Sequence, residues 1–399
     1  MTGLLALPYN RRDYYPGNSM QSNQQTMIET LSGDEVGDYP FMGTLVEQIL
    51  FLLSSSIVFS DLIIHQNSPV LLRQPKRLVA ASDTPITREE LEEFFQVIEP
   101  NWRDRIEDRA FDRAKDLTSG RIRVNCFTFQ GKTRLGCVIR RFPTEPIPLE
   151  ELGVRPCIQD FAKLTSGLVL FVGDTCQGKS TTISSLLDEI NKTRSGHIIT
   201  IEDPVETIIP QRRCIITQRE VGADGDVESY YHGALDALRE RPDVIVIGEI
   251  RDAETAREAL ALAESGPLVF ATLHARSTEL GLQKLLRLLG NADAQAQSLA
   301  TALRGVICQT LLPARNGKSY YLATECLTMT PEAEHLVGTQ NLAEIRPLLE
   351  KLSKKPEAGS HTMNDDLAML INAKLVDLVD ARRGTTDPLK FAELFERSK

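Results

Sequence analysis

What the sequence lacks narrows it first. One tryptophan and an aromatic share of 6% leave no evident aromatic–basic stripe of the kind that single-stranded nucleic acid binds. Acids outnumber bases, 55 to 45, for a formal net charge of −10. That balance argues against non-specific nucleic-acid binding as the main task, and no direct nucleic-acid partner is expected. The seven cysteines (Cys126, Cys137, Cys157, Cys176, Cys214, Cys308 and Cys326) are odd in number and none forms a CxxC pair. This argues against a disulfide scaffold or a zinc knuckle and for a reducing compartment. The longest apolar run, Ile49 to Phe59, spans eleven residues and is interrupted by Ser54, Ser55 and Ser56, whereas a membrane helix needs about 20. No transmembrane segment is expected. In Met1 to Arg12 the bases follow the short apolar run, the wrong order for a signal peptide. The expectation is a cytosolic protein.

What is present is ordinary soluble-protein composition, 42% hydrophobic and 25% charged over 399 residues. That length predicts two domains, or three, at roughly 100–200 residues each. Residues 1–38 carry Asn, Gln, Gly, Ser and Tyr without an apolar period and are expected to be a disordered tail. Residues 40–149 read as a small α+β domain. Phe41, Leu45, Ile49, Leu52 and Leu53 recur at helical spacing. Short strand-like runs follow at Leu62–Ile64, Val70–Leu72 and Leu78–Ala80. Thr87 with Glu90 three residues on is a capping box that opens a helix to Ile98. Arg121–Phe129 and Thr133–Phe142 alternate as two strands joined around Gln130–Gly131. After Pro143, Pro146 and Pro148, residues 150–166 form a connector with a short helix over Pro156 to Lys163. A larger domain, 167–380, alternates apolar runs with helical ones: Leu168–Val172, Ser180–Asn191, His197–Ile201, Tyr230–Arg239, Val244–Ile247, Ala253–Ala263, Leu268–Leu273 and Ser277–Leu289. Continuous apolar strands between helices predict a parallel sheet covered on both faces, an α/β fold. Past Ala292 the chain is expected to be mainly helical, with one helix over Met363–Val379 and a tail from 381 to 399.

The strongest signal is Gly173-Asp174-Thr175-Cys176-Gln177-Gly178-Lys179-Ser180, followed by Thr181. It matches the phosphate-loop pattern in full, with a strand before it and a helix after it. Gly173 and Gly178 allow the tight turn, and loop amides with the helix start face phosphate. Lys179 reaches the β- and γ-phosphates and Ser180 ligates Mg²⁺. ATP and Mg²⁺ are therefore the expected ligands. Val244–Ile247 leads through Gly248 to Glu249, the acid expected to help hold Mg²⁺ directly or through water. Arg251 and Asp252 read either as a solvated ion pair capping the next helix or, for Arg251, as a phosphate sensor. Ile201 to Glu206 delivers Glu202, Asp203 and Glu206 to a strand's C-terminal end, where open α/β sheets place ligands. One of them orients the attacking water, and spacing alone leaves open which. Thr272 and His274 reach the same rim, and a histidine at a strand end is more often structural than a phosphate neighbour.

These residues carry a resemblance. The chain resembles the secretion and pilus motor ATPases, the family of the pilus-retraction and type IV secretion or conjugation ATPases. Matching pieces are Ser60-Asp61-Leu62, Arg121–Phe127, the phosphate loop, Ile201–Glu206, Gly248–Asp252 and Thr272-Leu273-His274. The resemblance implies a RecA-like P-loop NTPase domain preceded by a smaller, sensor-like (PAS-like) α+β domain. It implies a homohexameric ring that hydrolyses Mg-ATP, cytoplasmic and peripheral at the inner membrane, docked on a platform protein of a pilus, secretion or conjugation machine. By the same carry-over Glu206 is the catalytic carboxylate, Glu249 the magnesium-associated acid and His274 the second histidine of a histidine box. Gly266-Pro267 stands where the family has its first histidine. Arg123 and Arg140 match arginines that reach the phosphates; without the resemblance both read as outward strand residues. The family prefers small residues inside the loop, so Cys176 and Gln177 are expected to slow turnover and leave binding intact. The histidine-box departure and the N-terminal tail lean toward the secretion and conjugation branch, and Ser166, where retraction enzymes often have Arg, departs from the retraction lineage. Two other readings are a RecA-like nucleic-acid motor and a nucleotide-gated interaction protein that does not hydrolyse.

Overall fold

A computed structural model describes residues 43–117, 120–222, 225–355 and 359–395. The tail expected over 1–38 lies outside the described residues, as does Phe41 of the first helical stripe.

The first unit contains α1 (Leu45–Ser54), β1 (Asp61–His65), β2 (Leu71–Arg73), β3 (Leu78–Ala80), α2 (Arg88–Ile98), α3 (Trp102–Asp108), β4 (Phe111–Leu117), β5 (Gly120–Phe129) and β6 (Arg134–Arg141). Thr44 and Thr87 cap α1 and α2, each in a reciprocal capping box, with Glu47 and Glu90. The strands form one antiparallel sheet in the order β3-β2-β1-β6-β5-β4. Its core joins Leu62, Ile64, Val124 and Ile139 to Leu91, Phe94 and Phe95 of α2 and to the apolar stripe of α1. Strand β4 and helix α3 were not foreseen. Phe111–Leu117 holds two aspartates, an arginine and a lysine, and hydrogen bonding to β5, not apolar patterning, makes it a strand.

The connector carries α4 (Pro156–Gln159) and a 3₁₀ turn, Asp160–Lys163. The second unit follows: β7 (Gly167–Val172), α5 (Lys179–Thr193), β8 (Gly196–Glu202), β9 (Cys214–Glu220), α6 (Tyr230–Arg239), β10 (Val244–Ile247), α7 (Ala253–Ser265), β11 (Leu268–Leu273), α8 (Thr278–Leu288), α9 (Asp293–Ala302), β12 (Leu303–Pro313) and β13 (Tyr320–Thr328). The sheet order is β13-β12-β7-β11-β10-β8-β9, parallel throughout except for β13. Alternate strand residues bury on opposite faces. Leu170, Ile245, Ile247 and Leu273 pack under α6–α8, while Phe171, Val246 and Phe270 pack against α5 and the connector. Burial on both faces explains why these strands read as continuous apolar runs.

Past Ala292 the chain is mainly helical, as expected, but two strands, β12 and β13, interrupt the helices without a sequence signal. Val306–Cys308 is buried on both sides, and an apolar run of that kind does not distinguish strand from helix by periodicity. The single helix expected over Met363–Val379 is two helices, α12 (Met363–Asn372) and α13 (Leu378–Gly384). Lys374 turns left-handed, φ 58°, between them. The α12–α13 pair follows α10 (Pro331–Gly338) and α11 (Ile345–Leu352), the latter introduced by a 3₁₀ turn. The segment set apart as a tail holds α14 (Pro388–Phe395), whose Phe391 is fully buried beside Phe395; residues 396–399 lie outside the described residues. Among the described residues no helix is long and apolar enough to cross a membrane.

Candidate functional site

The C-terminal ends of β7, β8, β10 and β11 and one edge of the first unit border a shared cleft of about 810 Å³. At the end of β7 the chain turns at Gly173, φ +150°. A Cβ there would lie 2.7 Å from the backbone oxygen of Gln309 on β12, so the turn requires glycine. Gly178, φ +79°, opens α5, and Cys176 holds a left-handed φ of 66° without being glycine. A loop of this curvature ahead of a helix offers backbone amides to an anion.

Lys179 is 8% exposed. Its Nζ donates to the carbonyl oxygens of Gly173 (2.7 Å) and Asp174 (2.8 Å), within the loop itself. Burial lowers its pKa, opposed chiefly by the nearby charge of Glu249. Two side chains of the loop are tied to neighbouring segments. Gln177 Oε1 accepts from the Leu311 amide at 2.5 Å, and Asp174 lies 3.5 Å from Arg276.

Three carboxylates come from the β8 segment; Asp203 lies 3.6 Å from Arg251, and the surroundings of the other two separate them. Glu202 accepts from the Thr200 hydroxyl at 2.6 Å and from Gln218 Nε2 at 3.3 Å. Burial pushes its pKa up to about 7. Glu206 is raised too, mainly by burial, but a hydrogen bond from Ser180 and the charges of Arg140, Arg123 and Lys179 hold it back. Glu202 is tied to its own sheet, whereas Glu206 sits with the phosphate-loop serine and the arginines.

Glu249 follows β10 across Gly248, where a Cβ would meet the Ile201 oxygen at 2.7 Å. Arg251 donates to its Oε2 at 2.8 Å, and His274 Nε2 lies 3.2 Å from its Oε1. His274 Nδ1 lies 3.2 Å from the Gly173 oxygen. Both neighbours of the ring are acceptors, so only a ring protonated on both nitrogens donates to both. The histidine read as more often structural thus links the loop to Glu249. Arg251 also lies over the Tyr230 ring at 5.6 Å.

The arginines of the first unit face the cleft. Arg140 on β6 donates to Asp61 Oδ1 at 2.9 and 2.6 Å, and its Nη1 lies 2.9 Å from Cys176 Sγ. Arg123 on β5 pairs with Asp112 at 3.0 Å. Arg121, which sequence reasoning did not single out alone, donates to the Val205 oxygen at 2.8 Å and pairs with Glu220 at 3.2 Å. Asp61 was visible only as part of a motif. Its register opposite Arg140 is set by the antiparallel β1–β6 pairing, which no local signal announces.

Thr175, Cys176, Gln177, Gly178, Lys179, Ser180 and Thr181 all line the cleft, with Glu206, Glu249, His274, Arg123 and Arg140. Gly173 and Asp174 shape it through their carbonyls and do not line it. Tyr230 and Tyr320 also line it; isolated tyrosines give no sequence signal for this role.

Residues 120–355 match the family described as "Type II/IV secretion system protein". The type IV pilus ATPase PilU of Pseudomonas aeruginosa is 35% identical over 328 residues, 81% of this chain and 84% of PilU. The type IV pilus retractation ATPase PilT of the same organism is 34% identical, over 68% of this chain and 77% of PilT. Among solved structures, the pilus retraction motor PilT with bound ADP superposes with a TM-score of 0.74 at 31% identity, over 87% of this chain and 98% of that one. The Legionella pneumophila ATPase DotB superposes with a TM-score of 0.73 at 23% identity, over 87% and 97%, a likeness of fold alone.

Proposed function

The chain belongs to the type II/IV secretion system protein family and is a P-loop ATPase of the pilus and secretion motor class; from that premise we propose that it hydrolyses Mg-ATP in the cleft between its two units and turns the cycle into movement of one against the other. The observation that carries this reading is the reach of Arg140 from the first unit to Cys176 of the phosphate loop. A cleft whose two walls come from different units changes their angle when its contents change.

The donor set fits the nucleotide and its metal. The ammonium of Lys179 is held by loop carbonyls that a phosphate can replace, and glycines shape the turn. Among the described residues no group of three or more His, Cys, Asp or Glu side chains could hold a metal ion. Magnesium commonly takes only one or two carboxylates and completes its shell from phosphate and water. Ser180 and Glu249 would hold it here, and the ion supplies charge neutralisation on the phosphates. Lys179 leaves its loop carbonyls for the phosphates. Glu206, ionised beside Ser180, orients the water. Arg123 and Arg140 face the developing negative charge. His274 reports the state of Glu249 to the loop through the Gly173 carbonyl.

The six-stranded antiparallel sheet with helices α1 to α3 supports a PAS-like first domain. We assign the motor to a type IV pilus machine. Identities of 34–35% to pilus ATPases over two thirds or more of the chain outweigh the lean toward the secretion and conjugation branch drawn from Gly266-Pro267 and the N-terminal tail. A homohexameric ring, cytoplasmic and docked on an inner-membrane platform protein, completes the proposal. Phosphate release per chain measured against protein concentration tests it. A rate that climbs and saturates, and that Arg140→Ala lowers at least tenfold while ATP still binds, is expected. An unaltered rate in Arg140→Ala would separate catalysis from contact between the units and overturn the reading.

A further inference from the structure

Away from the nucleotide cleft, the connector meets β13 at a second constellation of reactive groups. Cys157 on α4 is half-buried, and Cys326 on β13 exchanges both backbone hydrogen bonds, 2.9 Å each, with His361, so that one histidine backs both cysteines. Its Sγ lies 3.7 Å from Nδ1 of His361, a residue only 2% exposed. The hydrogen bonds beyond His361 decide its tautomer. Asp366 Oδ2 accepts from the Thr324 amide at 2.8 Å and from the Thr324 hydroxyl at 2.6 Å. The Thr324 oxygen, its proton committed to Asp366, accepts from His361 Nε2 at 2.8 Å. The ring proton is therefore on Nε2, and Nδ1 offers its lone pair to Cys157. Arg155 anchors the far end through Asp366 at 2.5 Å. This relay from Asp366 through Thr324 and His361 favours a thiolate at Cys157, the arrangement that makes a cysteine nucleophilic.

We propose that Cys157 is a hydroperoxide-reactive thiol and Cys326 its resolving partner, so that oxidation joins the connector to the edge strand of the ATPase sheet. The neighbouring Cys326 and the imidazole of His361, which takes the thiol proton, hold Cys157 well below the usual thiol range against burial, while the neighbouring Cys157 and burial raise Cys326. The two sulfurs thus divide into attacker and resolver. In the first step His361 Nδ1 takes the Cys157 thiol proton, and the thiolate sulfur attacks one oxygen of hydrogen peroxide. An S–O bond forms and the O–O bond breaks. The departing hydroxide takes the proton held on His361 and leaves as water, and Cys157 is oxidised by two electrons to a sulfenic acid. In the second step the Cys326 sulfur attacks that of Cys157. The S–O bond breaks, and the hydroxyl leaves as water with the Cys326 proton. The net change is two thiols and one peroxide to one disulfide and two waters. The other five cysteines differ: Cys126, Cys137, Cys214 and Cys308 are buried, and Cys176 is exposed without a histidine relay.

Peroxide treatment of the full chain, followed by denaturing alkylation and peptide mapping, tests this. The expected product is a Cys157–Cys326 linked peptide, two of the seven thiols lost, and full recovery with dithiothreitol. Cys157→Ser abolishes the link. Cys326→Ser leaves a Cys157 sulfenic acid that dimedone traps. Oxidation confined to Cys176 would overturn the proposal, as would Cys157 carried to sulfinic acid beside a free Cys326. Because Cys326 is buried and its variant can fail to fold, the wild-type map and Cys157→Ser decide the question on their own.

Discussion

Replacing Glu206 by Gln is the perturbation that most directly separates the two glutamates of the β8 segment. The amide keeps the size of the side chain and still accepts from Ser180, so nucleotide affinity is expected to stay within a few-fold. What it removes is the ionised group proposed above to orient the attacking water. Loss of a positioned general base typically costs about 10²–10⁴-fold in rate, or about 2.7–5.4 kcal/mol at about 1.36 kcal/mol per decade. Glu202→Gln is the matched control. Its carboxyl has a pKa pushed up to about 7 by burial and is bonded to Thr200 and Gln218. A neutral isostere therefore changes little at neutral pH, and kcat is expected to stay within about tenfold, the size of one modest change in transition-state interaction. Steady-state phosphate release against Mg-ATP, paired with equilibrium nucleotide titration, gives kcat and affinity separately. A Glu206→Gln enzyme at the natural rate, or a larger loss in Glu202→Gln than in Glu206→Gln, would refute the assignment.

The same geometry makes four further predictions. Burial raises the Glu206 pKa, and the ionised form is the active one, so kcat/KM is expected to fall on the acid side beginning at a higher pH than for an ordinary glutamate. The folded state holds the Glu202 proton up to about pH 7 while the unfolded chain releases it near 4.5. Its contribution to stability is therefore full below 4.5 and lost as pH rises to 7, and Glu202→Gln is expected to raise Tm at pH 8 and not at pH 4. Gly173→Ala places a methyl 2.7 Å from the Gln309 oxygen at φ +150°; strain of about 1–3 kcal/mol lowers Tm by several degrees and abolishes ATP binding in the same titration. Asp61→Asn weakens the hold on Arg140, so kcat is expected to fall severalfold with the ATP dissociation constant unchanged, and an unchanged kcat would show that Asp61 does not position the arginine.

Much of the catalytic unit was legible in advance because its signals are local. The Thr87–Glu90 capping box is a reciprocal bond within one turn, and α2 begins where it predicts. Helix α6 and strands β10 and β11 have the bounds their sequence pattern predicts, since β-branched apolar runs between amphipathic stretches have few other uses. For β12, a strand within the otherwise mainly helical region past Ala292, the deciding partner lies far away. Strand β12 pairs with β7, about 135 residues earlier, at Leu303↔Leu168, and an apolar run does not reveal that neighbour. Strand β9 is of the same kind. Only Cys214 is buried along it, and its parallel register with β8 makes it a strand.

The sequence by itself determined the nucleotide chemistry, because a phosphate loop works through backbone turns and two side chains held within eight residues. The tertiary structure decided which acids and bases join that loop. Glu202 and Glu206 are four positions apart and chemically identical, and only the sheet and Ser180 tell them apart. Arg140 meets Cys176 because β6 pairs with β1 and the first unit packs over the loop. Cys157, Cys326 and His361 meet because α4 packs on β13. Those contacts bring together residues from 36 to 204 positions apart, and distances of that kind are fixed by packing, not by spacing along the chain.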